Sequence, residues 1–275
     1  MDEKRNERPA RRAARQEPRR FAEKQRDADT LAENMLEGRN AVTEALSAGR
    51  PIDKLFVADG DTDRALARIC AMAKEAGAVV VPTDRRKLSQ MSATGAHQGV
   101  IAMVAAHDYA SLDDILNRAR AAGESPLIVI CDELSDPHNL GAIIRTAECA
   151  GAHGVIIPKR RSVGLTAVVG KASAGALEYM PVARVPNITA AIETLKKEGV
   201  WVYGTAADGS STIYQADLKG PAAIVIGNEG QGMSRLVADS CDLKLSIPMQ
   251  GRISSLNASA AAAILLYEAV RQRLG

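Results

Sequence analysis

At 275 residues the chain is longer than one average domain, so two are expected, and 46% hydrophobic with 25% charged residues suffices for true cores. Aromatics make up only 3%, so those cores must be aliphatic and alanine-rich. A net charge of +2 is too small to argue for a nucleic-acid partner by itself, which leaves the distribution of charge as the informative quantity. Cys70, Cys131, Cys149 and Cys241 form no C-x-x-C pair, and His97, His107, His138 and His153 are scattered. Free, buried, reduced thiols in a cytoplasmic protein without a metal site are therefore expected. The charged start has no signal-peptide pattern, and the most apolar segment elsewhere, 258–266, is too short to span a bilayer.

Taken in order, residues 4–26 hold ten Lys and Arg against three Glu, with almost no apolar residue except Ala. Such a stretch cannot bury enough surface to order its backbone, so 1–33 reads as a disordered basic tail: a solubilising segment or an arm that gathers RNA or DNA. Residues 34–106 read as a small α/β unit. Strands are expected at 53–58, 78–81 and 99–104, a helix between 61 and 76, and a short helix over 84–91 capped by Asp84. Ser111 with Asp114 makes a capping box for a helix running to about 122, within a linker of 107–125.

From 126 to 275 short apolar strands alternate with helical patterns, and no internal repeat is found. Strands are expected at 127–131, 154–157, 181–185, 200–205, 222–226 and 243–247. Helices are expected at 138–150, at 165–174, after the cap Asn187, and from about 256 to the end. Near-continuous apolar strands argue for a parallel sheet covered on both faces. In the last helix Leu256, Ala260, Ala263, Tyr267 and Val270 share one face. The strands at 222–226 and 243–247 each end in a loop, the arrangement by which open α/β sheets bind ligands.

Three clusters in this second half could carry chemistry. Asn139 and Arg145 sit just after a strand, and local pattern alone makes Asn139 a helix cap and Arg145 a surface cation. Glu229 is a lone carboxylate in the loop 227–232, where glycines permit close backbone approach. Ser254, Ser255 and Asn257 precede the last helix, where backbone N–H groups lack partners and capping would explain either serine. No P-loop, dinucleotide fingerprint or serine-hydrolase elbow is present.

In order and spacing, N-L-G-A-I-I-R-T-A at 139–147, I-G-N-E-G-Q-G-M at 226–233 and I-P-M-x-G-x-x-S-S-L-N-A-S at 247–259 closely resemble the TrmH-type branch of the SPOUT superfamily. These are RNA ribose 2'-O-methyltransferases. The stretches E-G-R-N-A-V-x-E-A-L at 37–46 and H-Q-G-V at 97–100 resemble the RNA-substrate-binding domain this branch often carries. The resemblance spans roughly 34–273 and omits the tail.

It implies a C-terminal α/β domain with a deep trefoil knot and a mostly parallel sheet. It also implies S-adenosyl-L-methionine, held by Gly204, Thr205, Ile226, Gly227, Ile247, Met249 and Leu256. Arg145, Asn139, Glu229, Ser255 and Asn257 would be the catalytic set. The implied homodimer packs through the knotted domain and would bring Arg145 to cofactor bound by the other subunit, with the small-residue run 258–263 allowing close helix packing. The added N-terminal domain resembles that of enzymes modifying a guanosine of 23S ribosomal RNA. The alternatives are tRNA guanosine 2'-O-methylation, or an RNA-binding ribosome-assembly factor without essential catalysis. RNA contacts are expected at 85–87, 159–161 and the tail.

Overall fold

A computed structural model describes residues 34–60, 63–92, 94–228, 230–253 and 255–275. The basic tail, Glu229 and Ser254 lie outside the described residues.

The chain builds two sheets. The first has four strands, β1 (Met35–Glu37), β2 (Ile52–Ala58), β3 (Val79–Thr83) and β4 (Val100–Val104), in the order β1-β4-β2-β3. β4 runs antiparallel to β1 and β2, while β3 is parallel to β2. Helices α1 (Arg39–Ser47), α2 (Arg64–Glu75) and α3 (Arg85–Met91) cover it. Asp63 and Asp84 cap α2 and α3 by accepting the amides of Ala65 at 2.8 Å and Arg86 at 2.7 Å. β1 and α1 escape the sequence reading. β1 is three residues long, and α1 buries only Val42, Ala45 and Leu46.

α4 (Leu112–Ala122) starts with the expected Ser111–Asp114 capping box and ends at Gly123 with φ 68°. It is part of the second core, because Ile115 and Leu116 pack beneath the larger sheet.

That sheet has seven parallel strands, ordered β7-β6-β5-β10-β8-β11-β9. They are β5 (Leu127–Cys131), β6 (Gly154–Pro158), β7 (Val182–Val185), β8 (Trp201–Thr205), β9 (Ser211–Thr212), β10 (Ala222–Ile226) and β11 (Leu243–Ser246). The helices between them are α5 (Pro137–Cys149), α6 (Ala167–Ala172), α7 (Ile188–Lys197), α8 (Arg235–Ser240) and α9 (Ala258–Leu274). The two-residue period of a strand divides the core. Leu127, Val129 and Cys131 face α5 and α9, while Ile128 and Ile130 face α4 and α7. This is why those strands lack polar alternation.

Three expectations are corrected. In α9 the buried apolar positions are Ala258, Ala262, Leu265, Leu266 and Ala269, whereas Leu256, Ala260 and Tyr267 are exposed and Ala263 and Val270 only half-buried. Apolar residues surround this helix, so periodicity could not select its inner face. Second, α5 begins at Pro137 and its cap is Asp136, which accepts the amide of His138 at 2.8 Å, so Asn139 is no cap but lies buried in the first turn. Third, only Cys131 of the four free cysteines is buried; Cys149 is exposed and Cys70 and Cys241 are intermediate. Among the described residues no helix is long and apolar enough to cross a membrane.

The sheets meet at an ionic joint. Asp53 on β2 accepts hydrogen bonds from Arg184 on β7 and from the Tyr109 hydroxyl, both at 2.7 Å. Arg184 also donates to the carbonyls of Asp53 at 3.0 Å and Lys159 at 3.3 Å, and lies 5.3 Å from the centre of the Tyr109 ring. A Cβ at Gly164 would strike the Asp53 carboxylate, so glycine is required where this loop crosses the joint.

Candidate active site

The carboxyl ends of β8, β10 and β11 open into a groove of about 680 Å³. Thr205 closes β8 and Ile226 closes β10, and both line the groove with Gly227, Ile247, Met249, Ser255 and Leu256. Gly204 does not line it. A Cβ there would meet Met233 Cε at 2.7 Å and Cys241 Sγ at 2.9 Å, so this glycine serves the packing beneath the groove floor.

Gly227 has no room for a side chain, because its Cβ would collide with the carbonyl carbon of Gly232 and the amide of Met233. The loop it opens is folded tightly by Asn228. The Asn228 amide donates to Gly232 O at 2.9 Å and the Gly232 amide returns to Asn228 O at 2.7 Å. The Asn228 side chain accepts from the Gly230 amide at 2.9 Å and donates to Glu133 O at 3.1 Å. A neighbouring anchor is Asp132, buried after β5, which accepts the Ser234 amide at 2.7 Å. Sequence reasoning passed over both. An Asn followed two and four residues later by glycine is a turn signal that could have found Asn228. Asp132 carried no local signal.

At one side of the groove the structure joins two predicted residues distant in sequence. Asn257 Nδ2 donates to Asn139 Oδ1 at 2.9 Å, while Asn257 Oδ1 caps α9 by accepting the amides of Ser259 at 3.0 Å and Ala260 at 3.3 Å. Asn257, and not Ser255, is thus the cap. Arg145, on the same helix as Asn139, is exposed and does not line the groove. Within one chain Ser255 and the glycine-rich loop line the groove, whereas Asn139, Asn257 and Arg145 do not; the two asparagines are bonded to each other next to it, and Arg145 is exposed.

Burial pushes the Cys131 thiol up to about 12 and that of Cys241 up to about 11, so neither is a thiolate at neutral pH. The lining combines apolar side chains with a few polar groups, as small-molecule sites do. Met249 and Leu256, both in the lining, are 38% and 37% exposed, apolar surface that a bound ligand would cover.

The chain matches the SpoU rRNA Methylase family over residues 126–267 and an RNA 2'-O ribose methyltransferase substrate-binding family over 35–110. It is 48% identical over 236 residues to the putative TrmH family tRNA/rRNA methyltransferase YacO of Bacillus subtilis, covering 86% of this chain and 94% of that protein. A putative TrmH family tRNA/rRNA methyltransferase of Staphylococcus aureus is 44% identical over 243 residues, 88% of this chain and 98% of its own. Among solved structures, the SpoU methyltransferase AviRb from Streptomyces viridochromogenes in complex with AdoMet is 30% identical with a TM-score of 0.56, covering 88% of this chain and 90% of that one. An AdoMet-bound rRNA methyltransferase from Sinorhizobium meliloti is 29% identical, with a TM-score of 0.55 and 88% of each chain covered.

Proposed function

The chain belongs to the SpoU rRNA methylase family, and from that premise we propose that it uses S-adenosylmethionine to methylate a ribose 2'-hydroxyl of a guanosine in 23S ribosomal RNA. The observation that carries the reading is the groove at the ends of β8, β10 and β11, with the Gly227 loop as one wall and the Asn139–Asn257 pair beside it. Thr205, Ile226, Gly227, Ile247, Met249 and Leu256 would hold the cofactor, whose sulfonium supplies an activated methyl group. Gly204 supports this wall from beneath.

The protein's own contribution is positioning and charge. The attacking hydroxyl must lie in line with the methyl group and lose its proton. Asn139, Asn257, Ser255 and Glu229 would orient the ribose, the phosphate or Arg145 itself. Arg145 would stabilise the developing alkoxide as a fixed cation, because a guanidinium does not give up its proton in a protein. Since Arg145 is exposed and does not line the groove of its own chain, it would act in the groove of a second copy. The outward face of α9, with Ile264 and Tyr267 exposed, supports a homodimer built there through a knotted domain, acting in the cytoplasm.

Arg145→Ala should leave S-adenosylmethionine affinity by calorimetry unchanged and lower single-turnover methyl transfer to 23S RNA by about 10²–10³-fold. Unchanged transfer would reject the assignment of Arg145. Absence of cofactor binding by the folded wild-type protein would reject the enzyme in favour of an assembly factor. Mapping 2'-O-methyl groups in cells with and without the protein separates 23S RNA from tRNA.

A further inference from the structure

A second cavity, of about 340 Å³, lies between the two sheets. Lys54 and Met103 of the N-terminal sheet line it opposite Ser135 and residues 161–164. Its character differs from that of the cofactor groove. Two cations, Lys54 and Arg161, meet there with hydroxyl side chains. The acid in the lining, Asp53, is already held by Arg184 and Tyr109.

Arg161 is held in an unusual way. Its φ is 57°, as is that of Glu133, and the two side chains form an ion pair at 3.1 Å. Both depart from the conformation L-residues prefer, which places strain at this point of the chain. The Arg161 side chain is 80% exposed, so the pair is solvated and contributes little. A phosphate, which guanidinium binds through two parallel hydrogen bonds, can therefore take Arg161 from Glu133 at small cost.

The position of the cavity matters as much as its charge. Glu133 O accepts the side chain of Asn228 from the cofactor loop, and Ser135 precedes the cap of the helix that carries Asn139 and Arg145. A strand lying here would pass both the substrate-binding unit and the groove.

We propose that this interdomain cleft is a phosphate subsite for the RNA strand, in which Arg161 leaves Glu133 and, with Lys54, grips a backbone phosphate flanking the target nucleotide. The proposal rests on the RNA-methylation reading, yet its test is independent of methyl transfer.

Fluorescence anisotropy with full-length protein and a 23S RNA fragment, repeated across a salt series, reads the contacts directly. Arg161→Met and Lys54→Met should each weaken RNA binding several-fold and each lower the log Kd against log salt slope by about 0.7–0.9, one phosphate contact apiece. Thermal midpoint and S-adenosylmethionine affinity should stay at the wild-type values. Glu133→Gln should act in the opposite direction and tighten RNA binding, which a purely structural ion pair would not do. Inorganic phosphate at matched ionic strength should displace RNA no better than chloride. Unchanged slopes in both cation variants would overturn the proposal. So would efficient displacement by phosphate, which would mark a site for a free anion. If wild type bound no cofactor while the slopes still changed, the methyltransferase reading would fall and the RNA cleft would stand.

Discussion

Replacing Arg184 with methionine tests the joint between the sheets. Arg184 and Asp53 side chains are 6% and 7% exposed, so their pairing is a buried one. The substitution removes the 2.7 Å bond to the Asp53 carboxylate and the bonds to two backbone carbonyls, leaving the carboxylate with the Tyr109 hydroxyl. Breaking a buried pair from one side costs about 3–5 kcal/mol, because the remaining charge is left without its partner. Burial already raises the Asp53 carboxyl above its usual 3.8, against the lowering by Arg184, and the variant should raise it further. An acid whose folded pKa is raised favours folding below the unfolded pKa and loses that contribution as pH rises through the folded one. The penalty in Arg184→Met should therefore be full near neutral pH and shrink on acidification. Asp53→Asn in the Arg184→Met background should recover much of the loss, since a neutral amide can keep the Tyr109 bond. Urea unfolding followed by circular dichroism at several pH values measures all three. A loss under about 1 kcal/mol, the level of a surface pair, or one independent of pH, would refute the argument.

Asn257 separates stability from chemistry. Asn257→Ala should cost about 1 kcal/mol for the lost cap and about 1 kcal/mol for the bond to Asn139, read as a lower urea midpoint. Asn257→Asp keeps the cap but loses the donor to Asn139, so it should regain much of the stability and little methyl transfer; equal destabilisation by the two variants would contradict that division. On α9, hydrogen bonds from Arg271 and then Gln272 hold the Glu268 carboxyl down at about 2, against the usual 4.5. A depressed carboxylate contributes stability above its unfolded pKa and loses it as pH falls through the folded one. The stability gap between wild type and Glu268→Gln should thus be present at about pH 6 and close near pH 2. A gap unchanged at the lower pH would count against the hydrogen-bonded carboxylate.

The parallel sheet was legible because its central strands β5, β6 and β10 are buried on both faces and read as near-continuous apolar runs. Capping was legible where Asp84, Ser111 and Asn187 announce a helix locally. Short elements were not. β9 has two residues and α8 six, too little for any period to appear. The candidate groove could be assembled from the motifs, since six of the seven proposed cofactor residues line it, yet Gly204 could not be separated from them without seeing Met233 and Cys241 underneath. The joint at Asp53 was invisible in sequence, because its partners lie 56 and 131 residues away.

The bond between Asn139 and Asn257 spans 118 residues. Both asparagines can reach it only after β5 and β10 have paired across the chain and α9 has docked on α5. Closing such long loops is entropically costly and slow compared with forming local helices. In refolding, helical signal should therefore return well before the protein becomes competent to turn over. In the interval between the two, the apolar segments of β5 and β10 would not yet be paired and would be open to association with other chains.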